Sequence, residues 1–357
     1  MKNITKLKEI TFIVCSNGFG HYKRCARVVH KLLDDDKKIH VNFICEIEIL
    51  EKQSNWIITK KLINNPRFNF INGESTIKIS MNKKTKKQIF QYNGIEWLDE
   101  KLIKESDLVI SDNIASVLKI RPDTILMGSF LWSDIILESM GSKLLELADL
   151  ELKLIKNENT EMIALRDMAM PNIVNYTSPF LTSWIVEESD YVISNSKIKN
   201  ILVIGGGTGY LDPELISICK QLSLSKKYTI HTSKKISSKL PESILHKVFM
   251  FTNYDFNQID LIIGRPGIGT LTDCVTYCIP IFGIGEYDNK EIQHNLKKIK
   301  SLFFGIDISS KINFVNDLIE KIQFDGSYMK FQKKLEKVEK QGLKEITNFI
   351  LNKLYEQ

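Results

Sequence analysis

Residues 199–209 read KNILVIGGGTG, a short apolar run followed by a glycine-rich loop. Residues 10–20, ITFIVCSNGFG, have the same pattern near the start of the chain. A continuous β-branched run of this length, bounded by glycine, is typical of a strand buried on both faces of a parallel sheet. The sequence therefore begins the same kind of unit twice and predicts two α/β domains.

Further apolar runs follow each of these strands and alternate with segments of helical period. We expect strands at 40–45, 106–113, 124–130 and 190–195 in the first half, and at 228–233, 247–251, 260–264 and 280–285 in the second. Such alternation predicts a doubly wound sheet, and 357 residues are enough for two of them. We expect a first domain at 1–197, a second at 198–327, and an amphipathic helical tail at 328–357.

The composition is that of a globular protein, with 43% hydrophobic residues and a modest net charge of +6. The six cysteines lie mostly in apolar runs without a CxxC pair, which indicates buried thiols in a reducing compartment. We find neither a signal segment nor an apolar run long enough to span a bilayer. We therefore expect a cytoplasmic protein, or one that is peripheral at the inner face of the membrane.

Two features bear on macromolecular partners. No nucleic-acid-binding module is present in the sequence, so nucleic acid is not an expected partner. The lysine-rich stretch Lys83–Lys87 leaves two interpretations open: a solvated loop, or a surface that contacts an acceptor or a membrane.

The turn after the first strand reads NGFGHYKR at 17–24. Gly18 and Gly20 allow backbone amides to approach a ligand, and the helix that follows offers unpaired N–H groups. Ligands of open α/β sheets bind at the carboxyl ends of the strands, which places His21 near the expected site. Asp112 ends another predicted strand at the same edge. Either could be a general base; the alternatives are a structural histidine and a helix-capping aspartate.

The loop Gly205–Gly209 is a second candidate ligand site, in which Gly206, Gly207, Thr208 and Gly209 would hold phosphate through the backbone. Neither glycine-rich loop is a dinucleotide fingerprint. Lys23 and Tyr210 stand where the third glycine is required, and no acidic residue ends the strand at 228–233. The sequence therefore argues against a dehydrogenase.

The third segment is GRPGIGTLTD at 264–273, followed by a strand and by QHN at 293–295. A strand here leads into a glycine-rich turn and a helix whose first amides suit a diphosphate. Asp273 could accept hydrogen bonds from ribose hydroxyls. The alternative is a capping box, with Thr270 as the N-cap and Asp273 in place of the usual glutamate.

Together these segments resemble the MurG-like GT-B glycosyltransferases, which are related to the peptidoglycan enzyme that adds GlcNAc to a lipid-linked intermediate. The donor segment of that family is matched by Arg265, Gly267, Thr270, Asp273, Pro280, Gln293 and Asn295. The GFGHYKR turn is also similar to that of the UDP-sugar hydrolase of pseudaminic acid biosynthesis. The resemblance covers this turn and roughly residues 200–300. Asp273 replaces the usual glutamate, and Gln293 is closer to Asn295 than in the family.

The resemblance implies a GT-B fold, in which two Rossmann-like doubly wound domains face each other across a cleft. It implies a UDP-sugar donor, uracil bound near 251–254, inversion at the anomeric carbon, and neither a metal nor a cofactor. The acidic run Asp34–Asp36 is accordingly interpreted as a solvated charge run. The implied donor-binding residues are Gly18, Gly20, Gly206, Gly207, Thr208, Gly209, Arg265, Gly267, Gly269, Thr270, Asp273, Gln293 and Asn295.

Without a metal, the leaving diphosphate would depend on helix N-termini and on Arg265 for positive charge. We expect an inverting, metal-independent glycosyltransferase whose acceptor is a glycan, a lipid-linked sugar or a protein. One alternative is a UDP-sugar hydrolase. The other is a non-catalytic module that binds a nucleotide sugar. The acidic catalytic set of a UDP-sugar 2-epimerase is not found in the sequence.

Overall fold

The computed structural model describes residues 7–81, 88–136, 142–187, 197–206, 209–286 and 288–356. Contacts divide the chain into two compact units. The first unit comprises residues 1–185 and 340–357, and the second comprises residues 186–339. The expected strand at 190–195 and the lysine-rich stretch Lys83–Lys87 lie outside the described residues.

The first unit contains a seven-stranded parallel sheet in the order β3-β2-β1-β6-β7-β8-β9. A separate antiparallel hairpin is formed by β4 and β5. The strands are β1 (Lys8–Val14), β2 (Ile39–Cys45), β3 (Phe68–Asn72), β4 (Ile77–Met81), β5 (Gln88–Tyr92), β6 (Leu108–Asp112), β7 (Ile125–Met127), β8 (Glu161–Leu165) and β9 (Ser178–Thr182).

Helices follow most of these strands and cover the sheet. They are α1 (Phe19–Asp35), α2 (Ile47–Lys52), α3 (Ile57–Ile63), α4 (Glu100–Glu105), α5 (Trp132–Ile135), α6 (Ser142–Glu158) and α7 (Pro171–Tyr176), with a 3-10 helix at Ala115–Lys119. The apolar face of α1 packs on β1 and β2, which is why these strands are continuous apolar runs.

The second unit contains a six-stranded parallel sheet in the order β12-β11-β10-β13-β14-β15. Its strands are β10 (Asn200–Ile204), β11 (Thr229–Thr232), β12 (Lys247–Val248), β13 (Leu261–Gly264), β14 (Ile281–Gly283) and β15 (Gly305–Asp307). Its helices are α8 (Asp212–Ser225), α9 (Lys234–Ser237), α10 (Asn253–Phe256), α11 (Ile268–Thr276), α12 (Lys290–Leu302), α13 (Val315–Phe324) and α14 (Ser327–Glu336), with a 3-10 helix at Ile312–Phe314.

The strand order of each sheet reverses once, between β1 and β6 in the first unit and between β10 and β13 in the second. This is the doubly wound arrangement that the sequence predicted. Ligands of such sheets bind at the carboxyl ends of the strands where the order reverses. In the first unit Val14 pairs with Asp112 at that point, and in the second Ile204 pairs with Gly264.

The C-terminal tail differs from the expected separate segment 328–357. Helix α14 packs on the second unit, where the hydroxyl of Tyr328 donates to the carbonyl oxygen of Asp260 at 3.0 Å. The final helix, α15 (Gly342–Tyr355), instead belongs to the first unit and buries Ile346, Ile350 and Leu354 in its core. Each helix has an apolar face of its own, and the two faces cover different sheets.

The division between the units falls at 185/186 rather than at the expected 197/198. At the return to the first unit, Glu345 of α15 accepts hydrogen bonds from the backbone N–H and the hydroxyl of Ser183 and from the hydroxyl of Thr182. Gly342 is required there, because a Cβ would lie 2.3 Å from the carbonyl oxygen of Ser183. All six cysteines are buried free thiols.

Candidate active site

The first part of the candidate site is the turn between β1 and α1. Helix α1 begins at Phe19, and Gly18 is its N-cap, with a φ of +133° that favours glycine. No side chain caps this helix. Gly20 and His21 therefore lie in the first turn of α1, beside the carboxyl end of β6.

His21 and Asp112 meet at the position that the sequence predicted. Nδ1 of His21 lies 2.6 Å from Oδ1 of Asp112. The other carboxylate oxygen, Oδ2, accepts from Nε of Arg24 at 2.9 Å and from the thiol of Cys25 at 3.2 Å. The Asp112 side chain is completely buried. Asp112 is therefore shielded from solvent and engaged at both oxygens, whereas His21 is the more accessible member of the pair.

Neighbouring side chains stabilise the negative charge of Asp112. Burial by itself would raise the pKa of this carboxyl, but the charge of Arg24, together with hydrogen bonds from His21 and Arg24, outweighs it and lowers the pKa below its usual value. In the same way, burial opposes the charge of Arg24, and Asp112 restores it and raises the Arg24 pKa. Asp112 is thus an ionised orienting group.

The position of Asp112 assigns the protonation of the His21 ring. Nδ1 is also 3.2 Å from NH2 of Arg24, but it cannot donate to Asp112 and accept from Arg24 at once. The shorter contact, to a carboxylate, places the proton on Nδ1, so Nε2 carries the lone pair. The ring packs edge-on against Phe130, and its side chain is 13% exposed. Such a histidine can accept a proton from a hydroxyl group or from water.

The interpretation of Asp112 as a helix cap is wrong. The 3-10 helix that follows begins after Ile114 and has no side-chain cap. Instead the next residue, Asn113, adopts a left-handed φ of 55° and supports the site. Its Nδ2 donates to the carbonyl oxygen of Phe130 at 2.7 Å, and its Oδ1 accepts from Arg24 at 3.3 Å. Arg24 and Asn113 were not among the predicted site residues; the spacing of His21 and Arg24 on one helix face was the available signal.

The second part of the candidate site is the loop after β10 in the second unit. Gly205, Gly206 and Gly209 lie at the carboxyl edge of the sheet, and Gly209 has a φ of +75°. The side chain of Arg265 packs over Gly206, where a Cβ would lie 2.8 Å from its Cδ. The other two predicted residues of this loop, Gly207 and Thr208, lie outside the described residues.

The turn after β13 is the third part. Gly267 is the N-cap of α11, no side chain caps this helix, and Gly269 and Thr270 lie in its first turn. The capping-box alternative is therefore wrong, because Thr270 is already inside the helix. Asp273 lies in the second turn and is 8% exposed. The uncapped amides at this end of α11 have the arrangement that binds phosphate in many helices.

Arg265, which was expected to supply positive charge to the leaving diphosphate, is ion-paired with two carboxylates. Its Nε lies 2.9 Å from Oε1 of Glu286, which is 2% exposed, and its NH2 lies 3.8 Å from Oε2 of Glu291. The second oxygen of Glu286 accepts from the side chain of Asn289 at 3.1 Å. The guanidinium is thus paired with a buried carboxylate. Glu286 was missed because its partner is reached only through the pairing of β13 with β14.

Helix α12 supports the same turn. Asn295 is buried, and its Nδ2 donates to the carbonyl oxygen of Pro266 at 2.9 Å. Gln293 lies on the exposed face of the helix. Of these two predicted donor-binding residues, Asn295 is directed to the turn itself.

Two further expectations concern charge and the membrane. In the acidic run Asp34–Asp36, the carboxylates contact His30, Lys31 and Tyr355. No group of three or more histidine, cysteine, aspartate or glutamate side chains that could hold a metal ion occurs within the described ranges. None of the helices in the described part of the chain has the length and apolarity needed to cross a membrane.

Comparison with known proteins identifies the fold. No model of a known protein family matches the sequence, and no curated protein matches it. The chain is similar to Phytolacca americana UGT2 complexed with UDP-2fluoro-glucose and pterostilbene (TM-score 0.64, 9% identity, 97% of this chain and 99% of that chain). It is also similar to UDP-glucose: anthocyanidin 3-O-glucosyltransferase in complex with UDP (0.63, 12%, 100% and 100%). A third is the MurG of Acinetobacter baumannii (0.58, 12%, 97% and 99%).

The two Rossmann-like sheets and these likenesses confirm the GT-B fold. At 9% to 12% identity they define the fold and do not select a subtype. The class of protein is thus a GT-B protein with a pair formed by His21 and the buried Asp112 in its first unit and an uncapped glycine-rich turn before α11 in its second.

Proposed function

We propose that the protein is an inverting, metal-independent glycosyltransferase that uses a UDP-sugar. The observation that carries this proposal is the contact of 2.6 Å between His21 and the buried Asp112, at a strand edge where a substrate can approach. The likeness to GT-B proteins that hold UDP supports it. In this proposal the second unit binds the nucleotide, and the first supplies the base.

In the proposed reaction the acceptor hydroxyl donates its hydrogen bond to Nε2 of His21. As the acceptor oxygen bonds to the anomeric carbon, its proton passes to Nε2, and the bond from that carbon to the phosphate oxygen breaks. UDP leaves with the electron pair, and attack from the opposite face inverts the anomeric centre. Asp112 stabilises the imidazolium that forms, as an orienting carboxylate does in other His–Asp pairs.

For the donor, we propose that the amides at the start of α11 and of the 205–209 loop bind the diphosphate. Asp273 would accept from ribose, and Gln293 would contact the sugar. Gly18 and Gly20 would let the start of α1 approach the substrate. The acceptor is a glycan, a lipid-linked sugar or a protein; a lipid-linked acceptor would bring the protein to a membrane surface.

A UDP-sugar hydrolase is the second candidate, favoured by the similarity of the GFGHYKR turn to that of such an enzyme. The same His21 would then activate water instead of an acceptor hydroxyl. The two candidates differ in what limits the release of UDP from the donor. An acceptor that must be oriented accelerates a transferase, whereas water is always present.

The test is UDP release from a panel of UDP-sugars, with and without candidate acceptors, followed by mass spectrometry of the sugar product. We expect slow release from the correct donor alone and at least tenfold faster release with its acceptor. Free sugar formed at a rate that no acceptor increases would favour the hydrolase. A strict requirement for magnesium or manganese after EDTA treatment would contradict the proposed mechanism.

A further inference from the structure

The charges at the carboxyl edge of the second sheet are unevenly distributed. On the β13 side of the 205–209 loop, the single guanidinium of Arg265 faces two carboxylates, Glu286 at 2.9 Å and Glu291 at 3.8 Å. These side chains therefore add no net positive charge to the amides at the start of α11. The positive charge that a departing UDP needs must therefore come from elsewhere.

On the opposite side of the loop, the charged side chains in contact include more positive than negative groups. Asp212, at the start of α8, is 2.5 Å from Nζ of Lys239 and 3.9 Å from Nζ of Lys235. Here two ammonium groups face one carboxylate. The Asp212 side chain is 8% exposed, whereas those of Lys235 and Lys239 are 43% and 45% exposed. An anion that arrives from solvent thus meets the ammonium groups before it meets the carboxylate.

Lys235 adjoins Gly209 of the glycine-rich loop directly, and Lys239 contacts Asp212 beside it. A Cβ at Gly209 would lie 2.8 Å from Nζ of Lys235 and 2.7 Å from Oδ2 of Asp212. The topology explains this proximity. Strands β10 and β11 are parallel neighbours, so the loop that leaves β10 and the segment that leaves β11 emerge at the same edge. Because Gly209 has no Cβ, the side chains of Asp212 and Lys235 pack directly against its backbone.

We infer that Lys235 and Lys239, held by Asp212, are the groups that bind the phosphates of a nucleoside diphosphate beside Gly209. Arg265 then has a different role: it packs over Gly206 and stabilises the turn before α11. This inference rests on the proposed function, because it names the cationic partner of the donor at the same site. It also explains why the pairing of Arg265 with Glu286 is compatible with binding an anion.

The experiment measures the affinity of the full chain for UDP and for uridine, which lacks phosphates, by calorimetry and ligand-observed NMR. The variants are K235M, K239M and the double variant, with K234M as the matched control. Lys234 is an exposed lysine on the same short helix, and the contacts given for Asp212 in the described structure are to Lys235 and Lys239. The charge-preserving K235R/K239R variant tests for rescue, and thermal unfolding tests that each variant folds.

We expect the Kd for UDP to rise about tenfold in each single variant and further in the double variant, as for a lost hydrogen bond to a charged group. The Kd for uridine should not change, K234M should change either Kd less than about twofold, and K235R/K239R should retain most of the UDP affinity. Wild-type affinity for UDP in a folded K235M/K239M variant would overturn the inference alone. A wild-type chain that binds no UDP would overturn the proposed function and this inference with it.

Discussion

Nδ2 of Asn295, in the middle of α12, donates a hydrogen bond of 2.9 Å to the carbonyl oxygen of Pro266, in the turn before α11. Both residues are buried. The family resemblance implied that Asn295 contacts the donor. Its observed contact instead holds the turn whose first amides would bind the diphosphate. A residue of this kind affects ligand affinity through the shape of the turn, and its removal should first affect stability.

The first prediction follows from this contact. Asn295→Ala removes the donor from a buried carbonyl oxygen, which costs about 1–3 kcal/mol. We expect urea unfolding to report a loss of this size and calorimetry to report weaker UDP binding. Lys297→Ala, an exposed change on the same helix, is the control and should stay within about 0.5 kcal/mol of the wild type. Unchanged stability in Asn295→Ala would show that the hydrogen bond contributes nothing.

The second prediction concerns the His–Asp pair. His21→Ala removes the base and should lower kcat at least about a hundredfold, with nearly unchanged UDP affinity. His30→Ala, on the same helix α1, is the matched control. Full turnover per folded molecule in His21→Ala would exclude His21 as the base.

A third prediction separates orientation from stability at Asp112. Asp112→Asn can no longer accept from Nδ1–H of His21 and from Arg24 at once, so the ring loses its fixed tautomer and Arg24 loses its counter-charge. We expect a large fall in kcat together with a loss of about 3–5 kcal/mol in stability. Cys25→Ala removes the thiol contact of 3.2 Å and some core packing but leaves the contacts of Asp112 with His21 and Arg24, so it should have a much smaller effect on kcat. Equal effects of the two changes on kcat would contradict the orienting role of Asp112.

A fourth prediction is a pH dependence of stability from Glu151. Burial raises the pKa of this glutamate from 4.5 to about 7, although N–H groups of Ser133 and Trp132 favour its ionised form. The folded state therefore holds the proton more tightly than the unfolded chain, and its stability falls as pH rises from about 4.5 to 7, on the order of 3 kcal/mol. Glu151→Gln should flatten this slope.

Urea unfolding between pH 5 and pH 8 checks this prediction. Glu146→Gln, an exposed change on the same helix α6, is the control that should keep the wild-type slope. The same slope in Glu151→Gln as in the wild type would show that another group titrates. Asp112 acts in the opposite sense, because its lowered pKa stabilises the fold at neutral pH and this contribution is lost in acid.

A fifth prediction tests the pairing of Arg265 with Glu286. Arg265→Met leaves the buried Glu286 carboxylate without its partner at 2.9 Å and should cost about 3–5 kcal/mol. Replacing Glu286 by Gln in the same chain removes that charge and should recover much of the loss. Thermal and urea unfolding of the wild type, both single variants and the double variant provide a double-mutant cycle for this pair. Additive losses would mean that the two side chains do not interact.

The sequence did not predict β3, β4, β5, β8, β9 or β15. It was sufficient for the four strands at which the sheet orders reverse, β1, β6, β10 and β13, and for the edge at which they end, since these strands are continuous apolar runs. It therefore brought His21 and Asp112 to one edge. It did not predict the partners whose contacts cross between elements, such as Arg24 with Asp112 and Arg265 with Glu286. These pairs depend on the order of the strands in each sheet, and the periodicity of apolar residues along the sequence does not give that order.

The packing of the C-terminal tail was also not predictable from the sequence pattern. Amphipathic periodicity predicted helices after Tyr328, but it does not say which sheet an apolar face will cover. Tyr328 of α14 is in the core of the second unit, whereas Ile346 of α15 is in the core of the first. Only the three-dimensional contacts distinguish them.

The placement of α15 has a consequence for synthesis on the ribosome. The second unit is complete once residue 339 has emerged, but the first lacks the helix that covers α1 until residues 342–355 have been translated. Nascent chains usually fold domain by domain from the N-terminus. In this protein the unit that begins to emerge first is completed after the second unit, and the apolar surface that α15 covers stays open throughout the intervening translation.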